Sequence, residues 1–175
     1  MIKKMAIVLM STVIGTSLYA GNYDTGTKGF IGLESGYAMV EGERLNDFNH
    51  KGDGAEFGLR FGAQSNEWRA TFAFDYFDSS SDDQNVEKGL LMVDYFFFNS
   101  DSEINIRPFI GANVGLINYE STGVDTTDFV YGGQAGVVFG LGQSVDLDLS
   151  YRYSLSGSER VNSLGSLLFG FNYLY

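Results

Sequence analysis

The chain has 175 residues, 22 acids against 11 Lys and Arg, a formal net charge of −11, 15 Phe, 11 Tyr, 23 Gly, one Pro and no Cys. The acidic balance excludes a nucleic-acid binder, because phosphates are met by Lys and Arg, and the lack of Cys excludes a disulfide framework or a Cys-ligated metal. Beyond residue 20 no stretch approaches the ~20 apolar residues of a spanning helix, so any passage through a membrane must be made by strands.

The first element, "MIKKMAIVLMSTVIGTSLYA", reads as a secretory signal peptide over residues 1–20. Lys3 and Lys4 charge its start, an apolar stretch follows over residues 5–15, and Ala20 ends it at an imperfect small-residue cleavage site. No Cys follows, so lipid attachment there is not expected. Residues 21–175 form the expected mature domain, with nine basic residues against 22 acids, a formal charge of −13.

That domain resolves into eight period-two runs of about ten residues, the length of a tilted membrane strand. In "FIGLESGYAM", Ile31, Leu33, Tyr37 and Met39 oppose Gly32, Glu34 and Gly36. In "AEFGLRFGAQ", Phe57, Leu59 and Phe61 oppose Glu56, Gly58 and Arg60. "WRATFAFDYF" sets Trp68, Phe72, Phe74 and Tyr76 against Arg69 and Asp75. "KGLLMVDYFF" sets Leu91, Val93, Tyr95 and Phe97 against Lys88 and Asp94. "RPFIGANVGL" sets Ile110, Val114 and Leu116 against Arg107 and Asn113, with Pro108 near the strand start, where a missing ladder donor costs least. "FVYGGQAGVVFGL" opposes Phe129, Tyr131 and Phe139 to Gly132, Gln134 and Gly136. "VDLDLSYRYS" opposes Val145, Leu147, Leu149, Tyr151 and Tyr153 to Asp146, Asp148 and Arg152. "LGSLLFGFNYLY" closes the series with Phe169, Phe171, Tyr173 and Tyr175 alternating to the last residue.

Eleven charges fall inside these runs, all opposite the aromatic face. A charge facing lipid near mid-bilayer costs roughly 2–4 kcal/mol, so this parity is the one a membrane barrel requires. Asp78 and Glu87 break it and are assigned to the rim. A soluble barrel also alternates, with its apolar face inward. It would have to coat its surface with glycine and mixed charge, whereas the same set suits the narrow interior of an eight-stranded barrel. The connections alternate too. "SNE", "NSDSE" and "GQS" are short, while "VEGERLNDFNHKGDG", "DSSSDDQNVE", "INYESTGVDTTD" and "LSGSERVNS" are longer. Short inner turns and long outer loops are the outer-membrane pattern. It places Trp68, Phe97, Tyr173 and Tyr175 in an inner aromatic girdle and Tyr37, Tyr76, Tyr131 and Tyr153 in an outer one.

Three stretches carry a likeness. "RPFIGANVGL" and "LSYRYS" resemble strands of small outer-membrane β-barrel proteins, the OmpA-like and opacity-protein relatives. "GFNYLY" resembles the terminal signal of that group, with Gly170, Tyr173 and Tyr175 in its key places and Leu168 where a polar residue is more usual. The resemblance implies an all-β, eight-stranded antiparallel transmembrane barrel of outer-membrane type. It also implies a cell outer-membrane location reached through the periplasm, with periplasmic chaperones and the barrel-assembly machinery as partners during biogenesis. Outer-membrane lipid and lipopolysaccharide are the expected surroundings, and a monomer the expected state.

The inward charges are Glu34, Glu56, Asp75, Asp94, Asp146 and Asp148 against Arg60, Arg69, Lys88, Arg107 and Arg152, a net of −1. Buried charges persist only when paired, so the expected interior is a cross-linked, charge-plugged lumen with a structural or surface role for the barrel. A gated porin is the alternative, with Arg60, Arg107 and Arg152 lining a weakly anion-selective path. A lipid-modifying enzyme would have to use His50 with Asp78 and Ser79. The lumen reads as charged, with no apolar pocket for an acyl chain, so no catalytic residue, cofactor or metal is assigned. "DSSSDD" lacks the spacing of a calcium loop. Adhesion through the acidic loops is open, with no partner encoded.

Overall fold

The computed structural model describes residues 26–44, 47–79, 84–97, 105–121, 124–157 and 161–175. The expected signal peptide lies outside them. Eight strands follow in order: β1 (Lys28–Arg44), β2 (Asp47–Gln64), β3 (Trp68–Ser79), β4 (Gln84–Phe96), β5 (Asn105–Ser121), β6 (Val124–Gly140), β7 (Val145–Ser156) and β8 (Val161–Leu174). Each is antiparallel to its neighbours in sequence, and β8 pairs with β1 to close the barrel. Closure leaves the sheet without an edge over its common height.

The alternation of the sequence is the alternation of the wall. In β7, Asp146, Asp148, Ser150, Arg152 and Ser154 are buried, while Leu149, Tyr151, Tyr153 and Leu155 are exposed. The pattern holds in all eight strands, so Ile31, Phe57, Trp68, Leu91, Ile110, Phe129, Leu149 and Phe169 face outward, each about half exposed. Neighbouring outward rings meet across the ladder, as in Phe61 with Phe72 at 5.4 Å and Trp68 with Tyr95 at 4.8 Å between centroids. Aromatic pairs of this kind are the unit of strand–strand stabilisation. Asp78 and Glu87 are exposed near the far ends of β3 and β4, the rim position assigned to them.

Two expectations need correction. The strands are 12–18 residues long, beyond the ten or so that the alternation marks out. Most of the sequence between the first and second runs, and between the fifth and sixth, is ladder. Tyr119 pairs with Thr126 and Glu120 with Asp125, and Gly42 pairs with His50. Backbone pairing needs no apolar partner, so a hairpin continues past the point where side-chain alternation stops. The interior is also not uniformly polar. Val40, Phe77, Val86, Leu90, Met92, Ile117, Tyr119, Val130 and Leu164 form a buried apolar cluster toward the far end. Phe96, Phe109 and Val138 form a smaller one near the end where the turns are short. The charged residues interleave with these clusters: Glu56 pairs with Phe77, Lys88 stands between Val86 and Leu90 on β4, and Arg107 pairs with Val138. β4 shows why: in "GLLMV", Leu90 and Met92 point inward and Leu91 and Val93 outward, so both faces are apolar and the run hides its parity.

Two of the short connections are hairpin turns. Ser65 N–H bonds to the Trp68 carbonyl at 2.7 Å, and Leu141 N–H bonds to the Val145 carbonyl at 2.7 Å. Gly142 takes φ 78° in the second, the left-handed conformation that glycine adopts without strain. At the same end Tyr175 and Gly29 exchange both backbone hydrogen bonds, at 2.9 and 3.1 Å. The Tyr175 ring lies over Gly29, where an added Cβ would come 2.8 Å from Cε2. Gly29→Val is therefore expected to displace that ring and loosen the β1–β8 seam by about 1 kcal/mol. The check is the urea midpoint of the folded, heat-sensitive band on electrophoresis, against Gly89→Ala, whose Cβ meets nothing closer than 3.7 Å.

Candidate functional site

Register places the interior charges in rows that climb around the wall. One row runs Asp148, Gly170, Glu34, Gly58, Asp75, Lys88 across β7, β8 and β1 to β4. Glycine alternates with charge along it, which leaves room for long side chains from the rows above and below. Arg60 uses that room: a Cβ at Gly170 would lie 2.6 Å from its Nη1. A second row runs Gln64, Arg69, Asp94, Gly111, Gln134, Arg152 and Ser166.

Glu34, Glu56, Arg60, Arg69, Asp75, Lys88, Asp94, Arg107, Asp146, Asp148 and Arg152 are all buried, none more than 6% exposed. Each has an oppositely charged partner. Arg152 donates from Nη2 to Glu34 Oε1 at 2.9 Å and from Nη1 to Asp75 Oδ2 at 2.7 Å. Arg60 donates to Glu34 Oε2 at 3.1 Å and to Asp148. Arg69 donates from Nη1 to Asp148 at 2.8 Å and from Nε to Asp94 at 2.9 Å. Gln134 completes the circuit, donating to Asp94 Oδ1 at 2.5 Å and accepting from Arg152 Nε at 3.1 Å. The result is a closed ring through β1, β2, β7, β3, β4 and β6, so it ties together strands that do not touch in the sheet.

Two pairs flank the ring. Lys88 donates to Glu56 Oε1 at 2.5 Å, and Ser166 donates to Glu56 Oε2 at 2.6 Å. Arg107 and Gln64 both donate to Asp146 Oδ2, at 2.7 and 2.6 Å. Arginine faces rest on the inner aromatics: the Arg69 guanidinium is 4.7 Å from the Phe109 centroid, and Arg107 is 4.5 Å from Phe96. Such stacking offsets part of the cost of removing a guanidinium from water. Glu34, Glu56 and Asp75 also offer carboxylate oxygens within 4.8 Å of one another.

Gln64, Gln134, Ser166 and Asn172 act beside the charges and were not singled out as site residues. Their inward parity marked them, but a neutral amide carries no pairing requirement from which a sequence argument can start. The apolar caps were missed for the reason given for β4. Gly170, Tyr173 and Tyr175 do not converge on the ring: Gly170 borders Arg60, while both tyrosines face outward. For His50 and Ser79 only the backbone is described, and most of "DSSSDD" lies outside the described residues.

The ring can hold the barrel rigid and occupy its bore. A cavity of about 10 Å³ beside Lys88 and Arg152 is the size of one water, and a recess of about 130 Å³ opens at the short-turn mouth beside Lys28, Asn105 and Arg107. Removing one member of a buried pair strands the other at a cost of about 3–5 kcal/mol. Arg152→Met is expected to lose that much in urea unfolding of the refolded protein, because Glu34 and Asp75 both depend on it. Arg107→Met, with one partner near the mouth, is expected to lose less.

Comparison with solved structures gives the fold. Neisserial surface protein A (NspA) superposes with a TM-score of 0.69 at 20% identity, covering 86% of this chain and 99% of that one. Outer membrane protein H (OprH) from P. aeruginosa gives 0.57 at 20% identity, covering 85% and 99%. The outer membrane enzyme PagL gives 0.45 at 13% identity, covering 79% and 97%, too remote to bear on chemistry. No protein-family model matches the chain, and no curated protein matches it at a significant level. The architecture is that of small eight-stranded outer-membrane barrels.

Proposed function

We propose that the chain is an integral outer-membrane barrel with a structural or surface-interaction role, its bore closed by the ion-paired ring. The observation that carries this reading is the interior itself. Eleven buried, mutually paired charges share the interior with two clusters of apolar side chains, and such filling favours a bore without a path wide enough for a hydrated ion. The outward face supports the location. Large apolar and aromatic side chains cover it from Trp68, Tyr95 and Tyr175 at one end to Tyr37, Tyr131 and Tyr153 at the other, more apolar area than a monomer exposes to water. In this reading Gly170, Tyr173 and Tyr175 are what the barrel-assembly machinery reads, lipopolysaccharide surrounds the far girdle, and the protein works as a monomer without catalysis.

A gated ion path is the second reading. Arg60 and Arg152 each bridge two acids, so either can release one partner while keeping the other. Single-channel recording of the refolded protein in a planar bilayer separates the two. Insertion without conductance steps is expected, whereas discrete steps altered by Arg152→Ala would favour the gate. The membrane assignment has its own check. Leu149→Arg, on the outward face near mid-strand, is expected to cost about 2–4 kcal/mol in lipid, and Leu155→Arg near the rim about 1 or less. Equal, small effects at both sites in urea titrations in lipid vesicles would argue against lipid contact.

A further inference from the structure

The interior charge does not balance, and the imbalance has an address. Asp94, Asp146 and Asp148 are matched by Arg69, Arg107 and Arg60. The remaining acids are Glu34, Glu56 and Asp75, and the remaining bases are Lys88 and Arg152. One negative charge is left over, in a trio whose carboxylate oxygens lie within 4.8 Å of one another. All three are buried. Like charges at that separation, away from water, do not all persist without a further positive charge.

The three acids are not equally supplied. Glu34 takes bonds from both Arg60 and Arg152, and Glu56 takes them from Lys88 and Ser166. Asp75 receives only Arg152 Nη1, on Oδ2, and its Oδ1 is buried without a hydrogen-bond partner. That atom leans over Gly58, where an added Cβ would collide with it. Gly58 is the residue between Glu34 and Asp75 in the row, so its missing side chain opens the space between the two carboxyls. A buried carboxylate oxygen that takes no hydrogen bond and sits beside other carboxyl groups is completed by a proton. Arg152, Lys88 and Arg60 already crowd the trio, which disfavours a divalent cation.

We propose that the Glu34–Glu56–Asp75 trio binds one proton, carried by Asp75 on Oδ1 and shared toward Glu34, and that this proton makes the interior network neutral. The groups beside Asp75 are Glu34 from β1, Glu56 from β2, Lys88 from β4 and Arg152 from β7, and these in turn are bonded to Arg60 from β2, Gln134 from β6 and Ser166 from β8. The assignment is independent of whether the barrel conducts. In the unfolded chain Asp75 is ionised at neutral pH, so the folded state holds one more proton than the unfolded one. Stability then falls as pH rises, by about tenfold in the folding constant per pH unit, until the folded state also releases its proton.

Asp75→Asn is the matched test, because the amide keeps an acceptor for Arg152 and places a fixed donor where the proton would be. Urea unfolding of the refolded full-length barrel in micelles at about pH 6, 7 and 8 compares it with the parent and with Asp94→Asn. The expected result is that Asp75→Asn is no less stable than the parent at about pH 7 and lacks about tenfold per unit of the parent's pH dependence. Asp94→Asn, which discards half of a matched pair, should be clearly weaker. An Asp75→Asn barrel as weak as Asp94→Asn, or with the parent's full pH dependence, overturns the assignment. Infrared spectroscopy of the unmutated barrel supplies a readout independent of any variant's folding. A protonated-carboxyl carbonyl band at about pH 7 is expected. Its absence overturns the proposal, and absence together with greater stability in sodium than in choline chloride assigns the charge to a bound cation instead.

Discussion

Hydrocarbon offers no hydrogen-bond partner, and that constraint sets the rest of this structure. Each backbone N–H and C=O that meets lipid must be satisfied inside the protein, and a sheet achieves this only when closed. Eight strands with β8 laid against β1 meet the requirement. Once closed, the wall has two surfaces in different solvents, and the period of the strand sorts side chains between them residue by residue. The outward aromatics and inward charges of β7 follow from that one condition.

Closure at eight strands also fixes the bore as one that side chains fill. What fills it is mixed. Among the described residues, apolar side chains cluster toward each end, and buried ion pairs interleave with them and fill the level between. Such pairs contribute less to net stability than apolar packing of equal volume, since desolvation offsets most of their attraction. Their distinctive contribution is register. A one-residue slip of any strand would turn its charges to the lipid and leave its partners across the bore unmatched. Arg152 on β7 and Glu34 on β1, 118 residues apart, are separated by six strand pairings in chain order and by two through β8, and they meet only if the register is right along the wall.

Much of this was legible in the residues. The alternation of "VDLDLSYRYS" states its own fold, and the shared parity of the charges separates inside from outside. Individual ion pairs were not legible, because period two gives the face of a residue and says nothing of its height in the barrel or its partner across the bore. Strand length was underread for a related reason: alternation ends where lipid ends, whereas the ladder through Tyr119–Thr126 and Gly42–His50 continues without it. The apolar caps escaped because Leu90 and Leu91 look alike in sequence and differ only in which solvent each faces.

The seam between Gly29 and Tyr175 joins positions 146 residues apart, so the barrel has no intermediate closed form. Hairpins β1–β2 through β7–β8 can each pair locally, but together they make an open ribbon with two bare edges and an exposed interior face. Closing the barrel is therefore a test of all eight strands at once: a ribbon with one hairpin out of register presents two edges that do not match. Such a chain keeps both edges bare and open to pairing with other chains.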